Sequence, residues 1–157
     1  MLTLTILATL GLTELALKPI PVQIKKTDRG FAMSRGGKPF LIKGAGGNGS
    51  LKLLAESGGN SIRTWGADDL GKVLDDAAKH GLMVTAGIWL LHHGGLDYSD
   101  PKQVQAQKER CREIIERHRY HPALLMWAFG NEMEGFGDKT DPAIWKAVED
   151  IAKMSKS

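Results

Sequence analysis

Apolar positions along this chain fall into short continuous runs that alternate with stretches of helical spacing. "PIPVQIKK" reads as a linker entering a short strand. "GFAMSRGGKPFLIKG" sets two apolar runs around a Gly-Gly turn, the pattern of a hairpin. In "SLKLLAESGG", Leu51, Leu54, Ala55 and Gly58 follow i, i+3, i+4, i+7; Ser50 can cap this helix and Gly58 can end it. "NSIRTW" is a short strand. "DDLGKVLDDAAKHG" predicts a helix with Leu70, Val73, Leu74, Ala77 and Ala78 on one stripe, an acidic first turn, and Gly81 as its stop. "LMVTAGIWL" is an apolar run of strand length. "PKQVQAQKERCREIIERHRYHP" predicts a long helix with Val104, Cys111, Ile114, Ile115 and His118 near one side. "ALLMWAF" is a further strand, and "DPAIWKAVEDIAKM" a last helix with Pro142 near its start.

The order is therefore β-α-β-α-β-α-β-α behind a hairpin. Continuous rather than alternating strands fit a parallel sheet covered on both faces. An open doubly wound sheet and the first half of an eight-stranded barrel both satisfy this order. Either one gathers its active groups at the carboxyl ends of the strands.

Composition narrows the classes. The chain has 157 residues, 42% hydrophobic and 25% charged, with a formal net charge of +3. That is one ordinary domain, and its mild, scattered charge gives no basis for nucleic-acid binding. The single cysteine, Cys111, excludes an internal disulfide and a multi-cysteine metal site, and its place in a helical run predicts a packing role. Residues 1–18 have the apolar length of a leader segment, although Glu14 interrupts them and no basic n-region precedes them. They are too short and too mixed to cross a membrane.

The strand ends carry the candidate chemistry. The first leads into "GAGGNG", the second ends in Arg63-Thr64-Trp65, the third in Trp89 with His92 and His93 beyond, the fourth in Trp127 followed by "AFGNEMEG". A Glu just past a buried strand, Glu132, can sit in a partly dry pocket, where desolvation raises its pKa toward that of a general acid. Asn131 can bond a sugar hydroxyl, and Trp65, Trp89 and Trp127 offer flat faces to a pyranose ring. Arg63 can keep a neighbouring nucleophilic carboxylate ionised. Glu134 is read as structural. Adjacent histidines point apart, and no third ligand stands at helical spacing, so His92 and His93 predict substrate contact rather than a metal. "GAGGNG" has the G-x-G-x-x-G spacing of a dinucleotide loop, but the second strand ends in Arg63 and Trp65, where that fingerprint wants an acid. A turn rich in glycine is the simpler reading, and no cofactor is expected.

"FLIKG", "GGNSIRTW", "GLMVTAGIW" and above all "HPALLMWAFGNE" resemble the front half of the catalytic barrel of glycoside hydrolase family 2, and more broadly the retaining glycosidases of clan A. The resemblance spans roughly residues 38–155. It implies a (β/α)8 TIM barrel of which four β/α units are represented, after a short β-hairpin. It also implies a carbohydrate substrate, a general acid/base at Glu132, a sugar-binding Asn131, an Arg at the end of strand two (Arg63), and a His after strand three (His92 or His93). In that clan the nucleophilic Glu follows the seventh strand, which the resemblance does not reach. The expectation is accordingly residues 1–18 as a leader, 19–37 as linker and short strands, and 38–157 as the N-terminal half of a barrel. Such a half supplies one of two carboxylates and invites self-association or a completing half. Two alternatives stay open: a nucleotide-binding module built on "GAGGNG", and a carbohydrate-binding fragment without catalysis.

Overall fold

The computed structural model describes residues 19–47, 49–92, 94–134 and 141–156. Its first part is a three-stranded antiparallel meander of β1 (Val22–Thr27), β2 (Gly30–Arg35) and β3 (Lys38–Pro39). Arg35 pairs with Lys38 across a two-residue turn in which Gly36 and Gly37 have φ of 55° and 77°. Positive φ at both positions is the type I′ geometry that matches strand twist, and glycine reaches it without a Cβ clash. The Arg35 guanidinium donates to the carbonyl of Pro122, tying the meander to the amino-terminal side of the last parallel strand.

The second part is a parallel sheet in the order β4 (Gly44–Gly46), β5 (Ser61–Arg63), β6 (Met83–Ile88), β7 (Leu124–Phe129). Its connections are α1 (Leu51–Glu56), α2 (Leu70–Lys79) and α3 (Pro101–His118), and α4 (Pro142–Met154) follows β7. Strand order equals chain order, so the described sheet has no point of reversal. The doubly wound alternative requires one; a barrel does not.

Val84, Ala86, Ile88 and Leu90 are fully buried. Val84 and Ala86 pack with Ile62 on β5 and with Leu70, Leu74 and Ala77 on α2. Ile88 and Leu90 pack with Cys111 and Ile115 on α3 and Ile144, Ala147 and Ile151 on α4. Alternate residues of a strand share a face, so the helices lie on one side of the sheet. Coverage of both faces was the expectation; among the described residues only this face carries helices. Burial holds the Cys111 thiol up at about 11, so it stays protonated and serves packing.

Three local expectations are corrected. The first parallel strand does not lead into the glycine run but is Gly44-Ala45-Gly46 itself, the opening half of that run. Close approach decides this over intrinsic β propensity. A Cβ on Gly44 would collide with the Ser61 carbonyl, and one on Gly46 would lie 2.7 Å from the Trp65 ring. On α2, Asp68 and Asp69 precede the helix instead of forming an acidic first turn. Asp69 is the N-cap but takes φ 54°, so its side chain makes no capping bond. Ala78 is exposed rather than part of the buried stripe.

Candidate functional site

Three successive strand ends meet on the open face. β5 ends at Arg63, whose guanidinium donates to the Asn131 side-chain oxygen at 3.2 Å. Beyond β6, the His92 ring reaches the backbone carbonyl of Asn131 with Nε2 at 2.7 Å. A carbonyl oxygen only accepts, so Nε2 carries the proton and Nδ1 is left to face solvent or ligand. Asn131 is thus gripped twice, once by its side chain and once by its backbone, and Glu132 follows it directly.

Aromatic surface surrounds this junction. The Arg63 guanidinium stacks over Trp65 at 5.4 Å from the ring centroid, within cation–π range. Trp89 and His92 have ring centroids 5.3 Å apart. Trp65 and Trp89 each keep 39% exposure, a large open area for rings that a core would normally bury.

The Asn131-Glu132 turn is built from its neighbours. Gly130 takes φ 71°, and its N–H donates to the Ile88 carbonyl at 2.9 Å, carrying the β6–β7 ladder one residue past the strand. Glu132 itself takes φ 48°, a left-handed conformation costly for a residue with a Cβ. Met133 then turns back into the core at 5% exposure and fills the space beneath Gly130, where a Cβ would meet its Cγ at 2.7 Å. The Met133 anchor holds the glutamate on the rim despite the strained backbone.

Two expectations fail here. Trp127 is not part of the rim: it pairs with Ala86 and packs, with Phe129, against the helix-side core. β7 runs on to Phe129 instead of ending at Trp127, and this places Trp127 on the covered face. Glu132 is exposed rather than held in the partly dry pocket expected, and Trp127 and Phe129 pack against the helix-side core instead. His93 and Asn48 lie outside the described residues, as do residues 1–18. Glu134 is exposed and bonds none of the described rim residues. No group of three or more His, Cys, Asp or Glu capable of holding a metal occurs among the described residues. No described helix is long and apolar enough to cross a membrane.

The described part of the glycine run does not have the form of a phosphate cradle. Half of it is strand, and the Trp65 ring lies against Gly46, where a dinucleotide loop leaves its backbone open to pyrophosphate.

Supporting residues that carry no chemistry of their own were not singled out from sequence. The buried Thr64 hydroxyl accepts from the Gly87 N–H at 2.9 Å and locks the end of β5 to β6. Gln107, on the buried side of α3, accepts from the Leu91 N–H at 2.8 Å. Its signal was present as a polar residue at i in the i, i+4, i+8 stripe it shares with Cys111 and Ile115.

Residues 49–156, which include Arg63, His92 and the Asn131-Glu132 turn, match the TIM barrel domain of glycosyl hydrolases family 2. The chain belongs to this family. Among curated family relatives, a β-galactosidase of Enterobacter cloacae is 33% identical over 67 residues, 40% of this chain and 6% of that protein. A β-galactosidase of Arthrobacter sp. (strain B7) is 27% identical over 110 residues, 66% of this chain and 11% of that protein. The family 2 fold is shared with a β-D-glucuronidase from Dictyoglomus thermophilum (TM-score 0.56, 22% identity, 85% of this chain and 27% of that one). A β-glucuronidase from Ruminococcus gnavus has a TM-score of 0.59 at 19% identity, covering 87% of this chain and 26% of that one. The chain thus spans about a tenth or less of these curated relatives and about a quarter of these solved structures.

Proposed function

We propose that this chain supplies the acid/base side of a retaining glycosidase site. Glu132 protonates the leaving glycosidic oxygen and then takes a proton from the attacking water. Asn131 binds the sugar near its 2-hydroxyl, Trp65 and Trp89 pack on the pyranose ring, and His92 donates or accepts through its free Nδ1. Arg63 supports the nucleophilic carboxylate. A retaining site needs that second carboxylate about 5–5.5 Å from the first, and on this reading it stands on a barrel strand beyond β4–β7. Residues 38–157 are then the first half of the barrel, and enclosure of Glu132 comes with the remaining strands.

The observation that supports the reading is the Arg63–Asn131–His92 junction inside the matched family region, with Glu132 the residue next to Asn131. The test is Glu132→Ala in the barrel that contains this segment. Substrates with poor leaving groups should lose about 10²–10⁴-fold in rate, the worth of a positioned acid, while activated aryl glycosides still form the glycosyl-enzyme. Azide, which needs no base, should restore turnover with retained configuration. An inverted azide product would make Glu132 the nucleophile. Equal loss for good and poor leaving groups without rescue would move the role to Glu134. The 157 residues assayed alone should not turn over an aryl glycoside.

A second reading, carbohydrate binding without catalysis, is favoured by one observation: Trp65 and Trp89 are open while Glu132 has no enclosing wall. Sugar binding that survives Glu132→Ala in a completed barrel that never turns substrate over would select it.

A further inference from the structure

Past the end of β6 the backbone leaves its ladder, yet His92 must arrive at the Asn131 carbonyl within hydrogen-bond distance. Leu91, the residue before it, has neither backbone group in the sheet. Its N–H donates to Gln107 Oε1 at 2.8 Å, and its carbonyl accepts from the Tyr98 hydroxyl. Gln107 Nε2 in turn donates to the Tyr98 oxygen at 3.3 Å, closing a three-membered ring of bonds. Leu90, one residue earlier, is fully buried in the cluster that holds Tyr98 and Cys111. The segment is therefore nailed at Leu90 by packing, at Leu91 by two side chains, and at His92 by Asn131.

Gln107 is 7% exposed on a helix whose other buried residues are Cys111 and Ile115. An amide in that place is unfavourable unless both its ends are bonded. An apolar residue of equal size would satisfy the core without that requirement, so packing alone does not account for it. Tyr98 is likewise kept as a donor, since burial pushes its phenol above the usual range.

We propose that Gln107 is a positioning residue for the sugar site: with Tyr98 it fixes the Leu91 backbone so that His92 clamps Asn131 and sets the Glu132 turn. This rests on reading the rim as a glycosidase site, but its test does not. Among the described residues Gln107 bonds no rim side chain; it reaches the rim through the Leu91 backbone, one residue before His92.

The test is NMR on the 157-residue chain, reading Leu91 amide exchange and the His92 Nε2 proton, which is visible while bonded to Asn131. Gln107→Met keeps the volume and removes both bonds. It should speed Leu91 exchange about tenfold, the worth of one net hydrogen bond, and abolish the His92 signal. Tyr98→Phe, a smaller change that also guards against a misfolded Met variant, should move both readouts the same way by less. Ile115→Val, a core truncation on the same helix, should leave both as in the parent chain. Unchanged readouts in Gln107→Met and Tyr98→Phe, or equal changes in Ile115→Val, would overturn the positioning role. Either result leaves the role of Glu132 standing, because no turnover is read.

Discussion

Glu132 sits in the left-handed region at φ 48°. The strain is tolerated because Gly130 on one side and Met133 on the other fix the turn. Glu132→Gly removes the Cβ conflict, worth ~1–2 kcal/mol, against a glycine entropy cost of ~0.5–1 kcal/mol. The variant should therefore be more stable by up to ~1.5 kcal/mol in urea denaturation while losing the carboxylate. Gly130→Ala should go the other way, costing ~1–2 kcal/mol from φ 71° alone and more once Met133 is displaced. A stability gain in Gly130→Ala would refute the account of the turn. The sequence made Asn131 and Glu132 visible because "GNE" closes an apolar run. It hid Met133, since a methionine after a loop glutamate looks like any other loop residue. It misplaced Trp127 because the strand's last two residues decide which face that ring takes, and periodicity locates strand ends poorly.

Helix starts show what a local signal can and cannot specify. α3 and α4 both open with Asp-Pro: Asp100 accepts from the Lys102 N–H at 2.9 Å and Asp141 from the Ala143 N–H at 2.8 Å, with proline at the first helical position of each. Pro cannot donate and pre-sets φ, so Asp-Pro is legible without any tertiary knowledge. α2 has two aspartates before it, yet Asp69, at the N-cap, takes φ 54° and its side chain makes no capping bond. Asp100→Ala should thus cost about 1 kcal/mol in chemical denaturation, whereas Asp69→Gly should cost nothing or stabilise. Equal losses at the two positions would mean that Asp69 caps in solution. The first parallel strand was missed for a similar reason. Gly44-Ala45-Gly46 has no strand propensity, and only contact with Ser61 and Trp65 makes glycine the required residue there.

At the scale of the molecule, the order of elements was legible because each helix carries its own apolar stripe, while the uncovered face was not, since strands buried on one or both faces read alike in short runs. β4 and β7 each have a free edge in the described sheet. Near β7, a cavity of about 440 Å³ lined by Leu124, Met126, Trp127 and Phe129 opens toward Ile20 and Arg119. Unpaired edges beside apolar surface favour pairing with another chain. Sedimentation of the 157-residue chain should show concentration-dependent association, and a monodisperse monomer with a sharp thermal transition would count against this. The alternation along β6 has a separate consequence for anyone altering this protein. Even-numbered positions from 84 to 90 answer to the helices, and randomising them would scramble folding. Odd-numbered 85 and 89 answer to whatever lies on the open side, and 87 tolerates no Cβ because the Thr64 and Trp65 backbones press on it. A combinatorial library confined to Thr85 and Trp89 would therefore vary the chemistry of the open side on an unchanged scaffold.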